Sequence, residues 1–278
     1  MCLVLLGWRA HPEYRLVVAA NRDEFFTRPT ESLRWWDEVP GLLAGRDLGA
    51  GGPIPGTWLG LTREKPRFAA VTNVRGPNEG RTDARSRGAL LLDFLRGEQD
   101  SEKFVRGAGA ALDDYNGFNL LVSDLESLWW HGNRSGQGPH ELMPGFHGLS
   151  NGALAASLRP DGEVSTGTDT PAWPKVRAGV LGMHRAVQSH PADVSGYLAV
   201  LADRQRVADA ELPDTGMDLE SERAASSRFV DHPLHGTRCS TVLLVRADGR
   251  FEMTERTFGR FARPEGTVSF HGRLELPA

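Results

Sequence analysis

Two short apolar runs at the start of the chain constrain its fold more than any other stretch. They cover residues 2–8 and 14–20, and the connection at 9–13 contains a proline and charged residues that suit a turn. Two such runs with so short a connection predict a β-hairpin. The second run stops abruptly at four polar residues, Asn-Arg-Asp-Glu at 21–24. Because a hairpin brings the end of its second strand beside the start of its first, these polar residues should lie close to Cys2.

The position of Cys2, directly after the initiator methionine, gives it a second reactive group. If Met1 is removed, Cys2 carries both a thiol and a free α-amine. An α-amine has a pKa of about 7.7–8.0, so it could act as the base for its own side chain. Arg22 and Asp23 would orient that amine and tune the thiol, since a nearby cation lowers a thiol pKa. The alternative is a buried cysteine that only fills space, followed by polar residues that only form a turn.

Asparagines follow two other predicted strands. Asn73 comes directly after the apolar run 68–72, and Asn151 ends a short His-Gly-Leu-Ser-Asn segment. A carboxamide at such a strand end could donate a hydrogen bond to an oxyanion in an active site. The alternative use of each asparagine is a simple Asx turn.

Two arginines in the C-terminal part are candidates for a distant arginine of the same site. Arg238 stands directly before the strand predicted at 240–245, and Arg228 lies in a Ser-Arg-Phe-Val segment. Either could return to the site of Cys2, where it would fix an acid group or support the site electrostatically. The sequence leaves the choice between Arg238 and Arg228 open.

The order of the predicted elements indicates an α+β protein. Apolar spacing predicts helices at 82–96, 101–115, 173–188 and 193–201. Strands are predicted at 58–62, 68–72, 119–123, 127–131, 240–245, 250–256 and 267–270, in addition to the opening hairpin. The glycine- and proline-rich run 45–56 predicts a loop, and the charged stretch 203–227 predicts a surface excursion. Without a regular βαβ alternation, antiparallel sheets covered by helices are favoured.

Composition excludes several classes of function. The 278 residues carry a net charge of −4 and no basic cluster, which gives no reason to expect nucleic-acid binding. Only two cysteines occur, which fits a reducing, cytoplasmic environment. No apolar run is long enough for a transmembrane helix or a signal peptide. Phosphate-binding and HExxH metal motifs are absent, so no cofactor and no metal are expected to be required, and the oligomeric state is left open.

The four polar residues at 21–24 and six further motifs resemble the NRDE family, the relatives of Transport and Golgi organisation protein 2. The further motifs are, in chain order, TWLGL at 57–61, AVTNVR at 70–75, SRG at 86–88, GLSN at 148–151, WPKV at 173–176 and GTRCST at 236–241. They occur in family order from end to end, so the resemblance covers essentially the whole chain. It implies a single domain, residues 1–278, with an N-terminal-nucleophile hydrolase-like fold, a four-layer αββα sandwich with antiparallel sheets.

The resemblance also implies a hydrolase in which Cys2 attacks an amide (C–N) or thioester carbonyl of a small, partly apolar substrate. The layout is similar to that of the cholylglycine hydrolase and penicillin V acylase relatives, which also expose a cysteine after methionine removal. In those enzymes two residues separate the arginine from the aspartate, whereas Arg22 and Asp23 are adjacent here, so which of them contacts the nucleophile stays open. The catalytic set implied is Cys2, Arg22, Asp23, Asn73, Asn151 and Arg238, and the substrate-binding set is Asn21, Glu24, Trp58 and Arg75.

A carrier or binding protein on the same fold is the competing interpretation. The Golgi-organisation relatives are associated with haem trafficking and lipid homeostasis, which implies a large apolar ligand. Several tryptophans could line an apolar cleft, although packing in the core is their usual role. Because the sequence contains no CxxCH segment, haem would be a non-covalent ligand.

Overall fold

The computed structural model describes residues 2–50, 54–76 and 79–276, so Met1 lies outside the described residues. The strands are β1 (Cys2–His11), β2 (Tyr14–Phe25), β3 (Thr30–Trp35), β4 (Leu42–Asp47), β5 (Leu59–Thr62), β6 (Arg67–Asn73), β7 (Phe118–Ser123), β8 (Leu128–Gly132), β9 (His140–Glu141), β10 (Gly145–Leu149), β11 (Ala156–Leu158), β12 (Val164–Ser165), β13 (His235–Arg246), β14 (Arg250–Phe258) and β15 (Pro264–Arg273). The helices are α1 (Arg87–Arg96), α2 (Ser101–Ala108), α3 (Pro174–Ser189), α4 (Val194–Leu201) and α5 (Leu219–Ala225).

The strands form two antiparallel sheets, which confirms the predicted α+β class. The first sheet has the order β12-β11-β10-β1-β2-β13-β14-β15, and the second has the order β3-β4-β5-β6-β7-β8-β9. Helices α3 and α4 pack on the first sheet, while α1 and α2 pack on the second. The two sheets face each other across a shared core, so the layers follow the order helix, sheet, sheet, helix.

The opening hairpin sets the position of Cys2 within these layers. Alternate residues of β1 face opposite sides of the first sheet. Val4 and Leu6 belong to the core between the two sheets, whereas Leu3 and Leu5 belong to the core under α3 and α4. All four side chains are fully buried, and each such burial contributes roughly 1.5–3 kcal/mol. Cys2 shares the face of Val4 and therefore lies at the edge of the gap between the sheets.

The first two helices are shorter than their apolar spacing predicts. The predicted helix 82–96 begins only at Arg87, because Arg85 is held in a β-bridge with Tyr115 and its N–H donates to the Asp114 carbonyl at 2.8 Å. The predicted helix 101–115 continues as 3₁₀ turns after Ala108. Its glycines at 107 and 109 lower its helical propensity at that point. The helices predicted at 173–188 and 193–201 are confirmed to within one residue at each end.

Two segments predicted to be irregular contain regular structure. The predicted loop 45–56 begins inside β4, and its far end returns to form a bridge between Asp47 and Gly56. Residues 51–53 of that loop lie outside the described part of the chain. The predicted surface excursion 203–227 contains α5, which Asp218 caps by accepting a hydrogen bond from the Ser221 N–H. Burial of Ala225 explains why this helix is stable despite its charged sequence.

Candidate functional site

A cavity of about 350 Å³ opens beside Cys2, and we refer to it as the Cys2 cavity. The hairpin contributes Cys2 and the polar residues 22–24 to its walls, Asn73 comes from the end of β6, and residues 84–88 lead into and begin α1. The volume is within the range of small-molecule sites, at its lower end. Most of the wall is polar or charged, and Trp58 is its largest apolar side chain.

Cys2 itself is nearly buried at the start of β1, with 7% of its surface exposed. Its carbonyl accepts a hydrogen bond from Ser150 Oγ at 2.8 Å, which ties the start of β1 to the end of β10. Burial raises the pKa of the Cys2 thiol above its ordinary value; the charge of Asp23 adds to this rise, and that of Arg22 opposes it. The thiol therefore needs a base before it can act as a nucleophile at neutral pH.

Arg22 lies directly across from Cys2 in the register of the hairpin and is held by a network of ion pairs. Its Nη2 is 3.0 Å from Asp47 Oδ2 and 3.5 Å from Glu24 Oε2. Arg28 Nε contacts the other oxygen of Asp47 at 2.9 Å. Burial acts against the charge of Arg22, but the surrounding acids raise its pKa overall. The guanidinium beside Cys2 is therefore fixed and charged. Sequence reasoning missed Asp47, which falls in the predicted loop.

Asp23 is buried and anchored from the neighbouring strand. Its Oδ1 accepts a hydrogen bond from Thr237 Oγ1 at 2.7 Å. Burial raises the pKa of Asp23, and the nearby positive charges of Lys175 and Arg75 lower it.

Lys175 was also missed by sequence reasoning: its ammonium is buried at the start of α3 and donates to the Ala225 carbonyl at 2.9 Å. Burial lowers the pKa of Lys175 to about 8.

The two predicted oxyanion donors lie together, but only one of them lines the cavity. Asn151 Nδ2 donates to the carbonyl oxygen of Asn73 at 2.8 Å and to its Oδ1 at 2.9 Å. Asn73 lines the Cys2 cavity, and Asn151 lies behind it and fixes its orientation. Since Asn73 Oδ1 is already an acceptor, its Nδ2 is the group available to a ligand.

Neither candidate for the distant arginine is brought to the Cys2 cavity. Arg238 holds the turn after β2, where its Nη1 donates to the carbonyls of Phe25 at 3.0 Å and Arg28 at 3.1 Å. It lines a separate cavity of about 70 Å³ with Cys239. The reason is the order of the strands. β13 pairs with β2 on the side away from β1, so β2 and its Arg22 lie between Arg238 and Cys2.

Arg228 is used elsewhere in the structure. Its Nε donates to the Val200 carbonyl at 2.8 Å, and its guanidinium pairs with Asp203. These contacts join the end of α4 to the segment that follows α5. The distant-arginine role that the sequence predicted for Arg238 or Arg228 is thus not supported by the position of either side chain.

Of the four residues expected to bind substrate, Glu24 and Trp58 line the Cys2 cavity. Asn21 does not, because it is fully buried on the opposite face of β2. Its Nδ2 donates to the carbonyls of Leu201 at 3.0 Å and Arg228 at 2.8 Å, so its amide hydrogens serve the packing of α4 against the sheet.

Arg75 also lies outside the cavity wall. Its Nη1 is 3.0 Å from Glu222 Oε2, and its guanidinium stacks on the ring of Trp173 with the centroid 4.6 Å away. Both side chains of the ion pair are only 6% exposed. Arg75 therefore joins α5 and α3 to the end of β6 and acts on the Cys2 cavity only through its charge near Asp23.

Among the described residues, no helix is both long enough and apolar enough to cross a bilayer. The described residues also contain no cluster of three or more His, Cys, Asp or Glu side chains arranged to hold a metal ion.

Comparison with known proteins relates the chain to one family over most of its length. Residues 1–260 match the family described as Transport and Golgi organisation 2. The chain is 35% identical over 278 residues to the Transport and Golgi organization protein 2 homolog of Bos taurus, with 92% of this chain and 93% of that protein covered. It is 33% identical over 276 residues to the Homo sapiens homolog, with the same coverage. For the Drosophila melanogaster protein the identity is 26% over 274 residues, with 92% of each covered.

Proposed function

Since the chain belongs to the Transport and Golgi organisation 2 family, we propose that it is an N-terminal cysteine hydrolase that cleaves an amide (C–N) or thioester bond of a small substrate. Cys2 is the nucleophile in this proposal, after removal of Met1. The observation that carries it is that Cys2 lines one cavity together with Arg22, Asp23 and Asn73. The helix, sheet, sheet, helix order of layers supports an N-terminal-nucleophile hydrolase type of fold as part of the same proposal.

The register of the hairpin supports the α-amine of Cys2 as the base. Cys2 is paired with Arg22 in an antiparallel ladder, so the Cys2 nitrogen lies on the side of this pair on which Asp23 follows Arg22. After Met1 is removed, the Cys2 nitrogen is the free amine, and Asp23 is the acid best positioned by the register to orient it. The anchoring of Asp23 by Thr237 would hold that acid in place.

The proposed reaction has two balanced steps. In the first, the α-amine takes the thiol proton, Cys2 Sγ bonds to the carbonyl carbon, and the amine or thiol leaving group departs with that proton. In the second, the α-amine takes a proton from water, the water oxygen bonds to the acyl carbon and the C–S bond breaks; the proton then passes to sulfur, so the carboxylic acid leaves and the thiol is restored. Asn73 Nδ2 would stabilise the oxyanion in both steps, and loss of such a donor typically costs about 10²–10³ in rate. The fixed guanidinium of Arg22 would stabilise the thiolate.

A carrier of haem or acyl lipids on the same fold is the alternative, and the cavity fits haem poorly. A porphyrin needs large apolar walls, whereas charged side chains of residues 22–24 and of the α1 start occupy most of this wall. Among the described residues of the wall, Cys2 alone belongs to the usual set of haem ligands. A cytoplasmic location is part of the hydrolase proposal and is supported by the presence of only two cysteines, both of which are free thiols.

Two measurements test the hydrolase proposal. Intact-mass spectrometry shows whether Met1 is absent from the mature protein. Peptide mapping after treatment with a β-lactone probe, which acylates nucleophilic thiols, then compares Cys2 with Cys239 as the internal control. We expect acylation of Cys2 alone, and its loss in Asp23→Asn. Retention of Met1, or equal acylation of the two cysteines, would overturn the proposal.

A further inference from the structure

Four arginines line the Cys2 cavity, and three of them are matched by acids. Arg22 and Arg28 share two carboxylates: both contact Asp47 within 3.0 Å, and Glu24 Oε2 lies 3.5 Å from Arg22 and 3.6 Å from Arg28. Arg85 lies 3.7 Å from Asp114. The positive charge of these three side chains is therefore already compensated within the protein.

Arg87 is the fourth, and within the described ranges it forms no ion pair. Its Nη1 donates to the Gly117 carbonyl at 3.0 Å, which fixes the side chain but does not neutralise it. The side chain is half-buried, and burial lowers the pKa of Arg87; the Glu24 carboxylate, and Cys2 when it is a thiolate, act in the opposite direction. An arginine that is partly desolvated without a counter-ion is a strong partner for an oxyanion, because the charge-assisted hydrogen bonds replace lost hydration.

The start of α1 adds to the positive potential around Arg87. Arg87 is the first residue of this ten-residue helix, and Ser86, its N-cap, makes no side-chain capping bond. Ser86 and Gly88 also line the cavity, so the N–H groups of Arg87 and Gly88, which have no acceptor within the helix, border the same space; the Ala89 N–H already donates to the Ser86 carbonyl. Gly88 favours this orientation: a Cβ there would lie 3.0 Å from the Thr57 carbonyl oxygen, so a larger residue would push the turn away from that backbone.

We infer that Arg87 and the first turn of α1 bind an oxyanion, a carboxylate or a phosphate, on a ligand whose other end reaches Cys2. The SRG motif at 86–88 thereby has a function that the hydrolase proposal does not assign to it. The cavity then selects anionic ligands, and if Cys2 is the nucleophile, the substrate is an anionic amide or thioester. That last step rests on the proposed function, whereas the anion site does not.

Alkylation of Cys2 with two matched reagents tests the anion site without any turnover. Iodoacetate and iodoacetamide are nearly the same size and react alike, since the thiolate forms an S–C bond and iodide leaves, but only iodoacetate is anionic. With both reagents in one tube, peptide mapping gives the ratio of carboxymethyl to carbamidomethyl adduct at Cys2. We expect a ratio about tenfold higher in the native protein than in the urea-unfolded protein. Arg87→Gln should abolish this excess and Arg87→Lys should retain part of it.

Arg96→Gln is the matched control, because Arg96 is an exposed arginine on the same helix, and its ratio should equal that of the wild type. Inorganic phosphate and acetate, added separately to the wild type, distinguish the two sources of oxyanion by which of them lowers the ratio. An unchanged ratio in Arg87→Gln, or no effect of either anion, would overturn the inference. Failure of both reagents to alkylate native Cys2 would also overturn it. An inactive protein that keeps the Arg87-dependent ratio would contradict only the hydrolase.

Discussion

Arg22 lies directly across from Cys2 in the β1–β2 ladder, and its guanidinium forms an ion pair with Asp47 at 3.0 Å. On its other side, β2 pairs Arg22 with Cys239. The two free thiols are thus separated by an entire strand, too far apart for a disulfide without backbone movement. Of the two, only Cys2 lines the larger cavity, where the charge of Arg22 can influence a reaction.

Arg22→Gln should raise the pKa of Cys2, because it removes the positive charge across the ladder. The rate of Cys2 alkylation by neutral iodoacetamide, measured against pH, reports this pKa. We expect the midpoint to move to higher pH in Arg22→Gln and to stay near the wild-type value in Arg22→Lys. The exposed Arg96→Gln serves as the control. A midpoint unchanged in Arg22→Gln would show that the guanidinium does not tune this thiol.

Glu255 should make stability depend on pH in the acidic range. It is buried between the sheets, where its carboxylate accepts hydrogen bonds from the Leu33 N–H at 2.7 Å and Thr241 Oγ1 at 3.1 Å. Burial raises its pKa above the ordinary value of 4.5, so the folded state binds the proton more tightly than the unfolded state. Stability contributed by this proton is present below pH 4.5 and is lost as pH rises through the folded-state pKa.

Glu255→Gln cannot lose that proton, so its stability relative to the wild type should increase across the same pH window. Urea unfolding of both proteins in a series of buffers from pH 4 upward measures the difference. If the difference between the two free energies of unfolding is independent of pH, the carboxyl group is not protonated preferentially in the folded state.

Local patterns were enough to predict the hairpin and two of the helices, because their apolar periodicity coincides with the faces that are buried. The position of Asn21 could have been read in the same way. It shares the parity of Val17 and Ala19, which face α3 and α4, so the alternation of β2 directs it away from the gap between the sheets. Asp23 has the same parity but lies at the end of the strand and lines the cavity, so it is the burial of Asn21 against α4 that excludes it from a binding role.

Other features of the site depend on long-range pairing that no local pattern reveals. Asp47 ends β4 at the beginning of the glycine-rich run 45–56, and β3 holds this end in strand form on one side. Arg238 sits at a β-bulge between Thr237 and Cys239, and a bulge changes the direction of a side chain without changing the apolar pattern. Lys175 stands in the polar first turn of α3, and its burial follows from the docking of α5.

Lys175 predicts a second pH dependence, of opposite sign and in the alkaline range. Its pKa is lowered from 10.5 to about 8 by burial, so between these values the unfolded state binds more protons than the folded state. The free energy of unfolding should therefore rise as the pH increases from about 8 to 10.5. The total increase is roughly 3 kcal/mol, because a pKa difference of one unit corresponds to about 1.4 kcal/mol. Lys175→Met should lack this rise, which urea unfolding at the two ends of the window measures.

The control for this prediction is Lys103→Met, because Lys103 is an exposed lysine on α2. It should show the same alkaline profile as the wild type, including any contribution from tyrosines and cysteines. A parallel profile for Lys175→Met and the wild type would mean that the buried ammonium titrates normally.

Asn151 should affect the proposed reaction only through Asn73. Asn151 Nδ2 holds Asn73 by two hydrogen bonds, 2.8 Å and 2.9 Å long, while Asn73 alone lines the cavity. We expect Asn73→Ala to slow acylation of Cys2 by about 10²–10³ and Asn151→Ala to slow it by a large part of that factor. The double variant should be no slower than Asn73→Ala, because the two residues act as a unit. The test is a double-mutant cycle: the rate of β-lactone labelling of Cys2 is measured in the wild type, the two single variants and the double variant. Multiplicative losses would show instead that Asn151 acts on the substrate independently of Asn73.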